Sequence, residues 1–154
     1  MKNIFIIILT ILSLPVFAAT QSDLILKGSV APILEISIAH KPVASNLDLS
    51  KAGSSLLVAT ITEKSNYATG YKVQLRSLNA GKLVNTIDPN SFVKYTLRYH
   101  NTNFTNATTS LVNVYQTASL RGTFTKNLKV SFSKPVGLSA GSYEDTVQFI
   151  IQSN

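Results

Sequence analysis

The chain has 154 residues, with fourteen Lys or Arg against seven Asp or Glu, a net charge of +7 and no cysteine. The lack of thiols excludes disulfide staples, thiolate metal sites and thiol catalysis, so stability has to come from packing and sheet hydrogen bonds. The basic residues stand singly from Lys27 to Lys134 with no clustered stripe, which argues against nucleic acid as a partner and leaves solvated strand faces as their role.

Residues 1–18 read as a secretory signal. Lys2 is the basic start, residues 4–14 form a compact apolar run, and Val16-Phe17-Ala18 puts small residues at the two positions that specify cleavage. A cut after Ala19 would set Phe17 three residues upstream, so the cut is expected after Ala18. The apolar run is too short to serve comfortably as a retained membrane anchor. Residues 19–154 then suit one domain with a single core, and no later segment is apolar enough for a membrane span.

Residues 21–40 alternate twice. Leu24, Leu26, Gly28 and Val30 share one parity, and Leu34, Ile36 and Ile38 continue it beyond Pro32. Apolar spacing of two is the mark of strands with one buried face, and a proline that cannot donate to a ladder belongs at an edge, bulge or transition. Two consecutive edge strands are expected. The first either returns to its own domain or enters another copy. Gly28 among apolar neighbours fits a close approach of backbones, and equally a bulge.

Residues 41–55 read as a polar connection with Leu47 and Leu49 tucked inward, and residues 56–62 as a strand. Residues 63–70, ending on Gly70, carry hairpin chemistry with a positive φ at the glycine. The return strand, residues 71–77, places Tyr71, Val73 and Leu75 on one face and Lys72, Gln74 and Arg76 on the other. Asn79-Ala80-Gly81 and Asp88-Pro89-Asn90 are turns around a short strand at 82–84. Val93, Tyr95, Leu97 and Tyr99 then share the apolar face of one further strand. Residues 100–110 form the longest irregular tract. Weaker strands are expected at 111–115 and 120–123, and a better one carries Leu128, Val130 and Phe132. After the turn Lys134-Pro135-Val136-Gly137, residues 141–152 read as one last strand with Tyr143, Val147, Phe149 and Ile151 on one parity. Asp145 shares that parity and is expected near an exposed strand start.

Seven to nine short strands, regular turn signals and no helical periodicity predict an all-β chain, an immunoglobulin-like antiparallel β-sandwich. Catalytic chemistry is not legible. His40 and His100 lie at strand ends without ligand spacing, so no metal and no cofactor is expected. Glu144 and Asp145 are adjacent and point to opposite faces, and no serine stands in a nucleophile-elbow pattern. An enzyme is therefore not expected. Asn103-Phe104-Thr105 and Asn106-Ala107-Thr108 match a glycosylation acceptor pattern and mark the loop as exposed. Tyr67, Tyr71, Tyr95 and Tyr99 could line a sugar-binding face, although sheet packing explains most of them.

Two stretches carry a family resemblance. Val30-Ala31-Pro32-Ile33-Leu34-Glu35-Ile36, after an alternating segment that opens the exported chain, resembles the start of chaperone–usher pilins of the cysteine-free colonisation-factor (alpha-class) type. Ala140-Gly141-Ser142-Tyr143-Glu144-Asp145-Thr146-Val147-Gln148-Phe149 resembles the closing strand of those pilins and of spore-coat-U-like secreted proteins. The resemblance implies an incomplete sandwich lacking its final strand, completed by a donor strand from the next subunit. It divides the chain into a signal (1–18), a donor segment (19–30) and a pilin-like body (31–154). Leu24, Leu26, Gly28 and Val30 would be the inserted face, and Tyr143, Val147, Phe149 and Ile151 would help line the acceptor groove. It implies a structural subunit of a surface fimbria, with a possible contribution to adhesion, whose partners are other copies or related subunits, a periplasmic chaperone and an outer-membrane usher. The product would pass through the periplasm to the cell surface. The rival expectation is a monomeric secreted or periplasmic binding module closed by its own N-terminal strand.

Overall fold

The computed structural model describes residues 20–102 and 106–154, so the signal reading and Asn103-Phe104-Thr105 lie outside the described residues. The chain divides into two units, Met1–Val30 and Ala31–Asn154. In the first, the described residues form no regular secondary structure, so the first of the two expected N-terminal strands is not a strand here. The second is an all-β sandwich with one short 3-10 turn, Pro42–Ser45.

Its strands are β1 (Leu34–His40), β2 (Gly53–Ser65), β3 (Tyr71–Ser77), β4 (Lys82–Asn85), β5 (Phe92–Lys94), β6 (Thr96–Tyr99), β7 (Val112–Thr117), β8 (Gly122–Phe132), β9 (Tyr143–Glu144) and β10 (Val147–Ser153). All pairings are antiparallel. One sheet has the order β1-β2-β8-β6, a second β10-β3-β7, and a third, small sheet β5-β4-β9. The four-stranded order matches the A-B-E-D layer of an immunoglobulin sandwich, and β3 and β10 take the places of its C and F strands.

Alternation builds the core. Ile61 from the four-stranded sheet and Tyr71, Val73 and Leu75 from β3 are fully buried, joined by Val93, Leu97, Tyr99, Leu128, Val130 and Phe132. Leu47 and Leu49 do tuck against this core. Gly70 adopts φ +75, and a Cβ there would meet the Thr117 carbonyl oxygen at 2.0 Å, so the turn does require glycine.

Three expectations are corrected. The 63–70 break is shorter, because β2 runs through Ser65, and it joins two sheets instead of closing a hairpin. The strand expected through residues 93–99 splits at Tyr95, with β5 in the small sheet and β6 in the four-stranded one. The last strand likewise breaks at residues 145–146 into β9 and β10. In each case a chain that keeps one face apolar changes its hydrogen-bonding partners, which period-two alternation does not record. The 100–110 tract is also less exposed than expected, since Ala107 is buried in the core.

Candidate functional site

Among the described residues each sheet has two edge strands, and the edges of β1 and β10 border a cleft. β1 pairs only with β2, and β10 only with β3, so among the described residues no strand covers the outer edge of either. The β10 edge is where the G strand of an immunoglobulin sandwich would pair with F. Beside it an apolar cleft of about 200 Å³ opens into the core, lined by Val147 and Phe149 of β10, Ile38 of β1, and Leu97, Leu128 and Val130. A larger, more polar cleft of about 900 Å³ lies between residues 44–50 and 138–146. The two share Ala44, Leu47, Leu83 and Asp145 in their linings.

Of the four residues expected to line an acceptor, Val147 and Phe149 face the apolar cleft. Phe149 packs against Tyr99 with ring centroids 5.8 Å apart. Ile151 continues their parity opposite Val73 and packs on the core outside both cleft linings. Tyr143 stands in the polar cleft. Its hydroxyl donates to the Ser139 carbonyl at 2.6 Å, so Ser91 Oγ, also at 2.6 Å, donates to it. Asn85 pins the same loop, donating to the Ser139 and Ala140 carbonyls, while a Cβ on Gly141 would meet its Nδ2 at 2.9 Å. The residues of the Ala-Gly-Ser-Tyr motif thus form part of the wall of the polar cleft. The residues expected on a donor face, Leu24, Leu26 and Val30, are 84–86% exposed, and Gly28 has open space around it.

The buried polar groups gather in two clusters: Glu63 lies outside both cleft linings, while Asp145 and Tyr95 also line the apolar cleft. Glu63, expected in a loop, lies in β2 with no solvent exposure. Its carboxylate accepts hydrogen bonds from Tyr71 at 2.7 Å, from Tyr99 and from Lys126 of β8. Lys126 also sits over the Tyr115 ring. Burial pushes the Lys126 amine below its ordinary range, against the opposing pull of Glu63. Burial, reinforced by the bond to Glu63, pushes the Tyr71 and Tyr99 phenols up. Asp145 is a second hub. It is half-buried where an exposed strand start was expected, and it accepts from Ser77 Oγ at 2.5 Å, the Asn79 amide at 3.0 Å and the Tyr95 hydroxyl. Desolvation raises the Tyr95 phenol too.

These contacts turn Tyr71, Tyr95 and Tyr99 inward, so they belong to sheet packing and form no sugar-binding face. His40 and His100 are exposed. Among the described residues no group of three His, Cys, Asp or Glu is placed to hold a metal, and no helix is long and apolar enough to cross a membrane.

No protein-family profile matches the chain, and no curated protein matches it. Solved structures do. The CooA pilin subunit from enterotoxigenic Escherichia coli is 14% identical, with a TM-score of 0.43 over 76% of this chain and 78% of that one. The E. coli Hda pilus minor tip subunit, HdaB, is 11% identical, with a TM-score of 0.43 over 80% and 85%. The Salmonella SafD adhesin is 9% identical, with a TM-score of 0.41 over 80% and 98%.

Sequence reasoning missed Ile38, Leu97, Leu128 and Val130 as cleft residues, although their inward parity was legible. It missed Glu63 altogether. The available signal was register: Glu63 shares the parity of Ala59 and Ile61, the buried face of β2.

Proposed function

We propose that the chain is a non-enzymatic structural subunit of a surface fimbria or pilus-like polymer, joined to neighbouring copies or related subunits by donor-strand complementation. The observation that carries this reading is the unpaired β10 edge beside an apolar cleft. Unpaired backbone groups next to exposed apolar surface call for a covering strand. The chain contains a candidate of matching period, since Leu24, Leu26, Gly28 and Val30 repeat every second residue, as do Val147, Phe149 and Ile151. In this reading the inserted face of one copy packs on the β10 face of the next. Residues 1–18 direct export, a periplasmic chaperone shields the cleft in transit, and an outer-membrane usher releases the polymer at the cell surface.

The test is a denaturing gel of the exported protein, with and without boiling, beside size-exclusion chromatography. A ladder that collapses only on boiling, and that Leu26→Asp abolishes, is the expected result. A single monomer that unfolds cooperatively would overturn the proposal in favour of a module closed by its own N-terminal strand.

A further inference from the structure

A tethered strand has an effective concentration in the millimolar range for a site within its reach, so a copy able to fill its own cleft would outcompete its neighbours. Something must prevent self-closure if chains are to join, and the geometry around Asn66 supplies it. Asn66 follows the last residue of β2. Its Oδ1 accepts from the Ile33 amide at 2.7 Å, its Nδ2 donates to the Ala31 carbonyl at 2.8 Å, and its own amide donates to the Ile33 carbonyl at 3.2 Å. These bonds carry the β1–β2 ladder one pair beyond Leu34 and Ser65.

Only Ala31, Pro32 and Ile33 separate Val30 from β1. To lie along the open edge of its own β1, the segment ending at Val30 would have to reverse within those three residues. Two of them are held by Asn66, no turn is formed there, and Pro32 biases Ala31 toward extended backbone. We infer that Asn66 is a positioning residue that blocks self-closure and commits the N-terminal segment to the cleft of a second copy. This inference rests on the strand-exchange reading and adds to it the residue that bars a chain from filling its own cleft.

The experiment compares the full exported chain, wild type, Asn66→Ala, and a variant with five Gly/Ser residues inserted between Val30 and Ala31. The insertion lies outside the clamp and gives the segment a place to turn. Each is scored by the ratio of boiling-sensitive ladder to heat-resistant monomer across a dilution series. Losing the two side-chain hydrogen bonds should lower the ladder-to-monomer ratio roughly tenfold. The insertion should lower it at least as much, and Asn66→Ala should add little in the inserted background. A role confined to folding would lower the yield of both species and leave the ratio unchanged. A wild-type ladder with the same ratio in the inserted variant overturns the inference and leaves strand exchange standing, even where Asn66→Ala fails to fold. A wild-type chain that forms no ladder overturns both.

Discussion

The two sides of the sandwich solve opposite problems. On the closed side, β2, β8, β6 and β3 converge on Glu63, whose buried carboxylate binds Tyr71, Tyr99 and Lys126 and so ties the two layers together. On the open side, β1 and β10 present unpaired edges and an apolar cleft with Val147 and Phe149 in its lining. A buried charge without its partners is far costlier than an apolar group left partly wet, so the polar interior is sealed within one chain. The apolar side tolerates partial exposure. The Glu63 cluster and the apolar cleft thereby share no residue.

The separation breaks most visibly at Glu63. Glu63→Ala leaves Lys126 buried without its counter-charge and is expected to cost about 3–5 kcal/mol, read as a lowered denaturant midpoint. The double change Glu63→Leu with Lys126→Met should recover much of that loss, because it removes the charge as well as the pair. On the open side Phe149→Ala should cost about 2 kcal/mol, below the usual range for a fully buried phenylalanine, since the ring is only partly covered. It should also weaken the ladder on unboiled gels, which Glu63 variants that still fold should not.

Alkaline pH probes the buried phenols. Tyr71, Tyr95 and Tyr99 have phenols raised above the ordinary value of 10.0. Their contribution to stability is complete below pH 10 and falls as the pH rises further, because the unfolded chain then gives up protons that the folded chain retains. Lys126, lowered in the fold, works in the opposite sense, one group against three. Absorbance at 295 nm should therefore show these three of the six tyrosines ionising only together with loss of the circular dichroism signal. Gradual ionisation of all six in the folded state would show that these phenols are open to solvent.

The smallest expected effect sharpens the contrast best. Leu26→Asp changes an exposed residue in a segment without regular structure and should alter the stability of the body by less than about 0.5 kcal/mol. The same change should abolish the ladder. A large loss of stability would place Leu26 in the folded core of its own chain.

Much of this architecture is written in the order of residues. Alternation at Tyr71, Val73 and Leu75, the glycine at position 70, the inward Leu47 and Leu49, and the shared parity of Val147, Phe149 and Ile151 follow from a side-chain period of two and from backbone sterics, which are local properties. The same local rule singles out Leu24, Leu26, Gly28 and Val30 as a strand-like segment ahead of the body. What only the tertiary structure decided is which strand borders which. The change of sheet at Tyr95, the break at residues 145–146 and the meeting of Glu63 with Lys126 all depend on partners tens of residues away. Alternation fixes the face a residue presents and leaves open what lies opposite that face. The unpaired β10 edge and the Asn66 clamp therefore emerge only once the sheets are assembled.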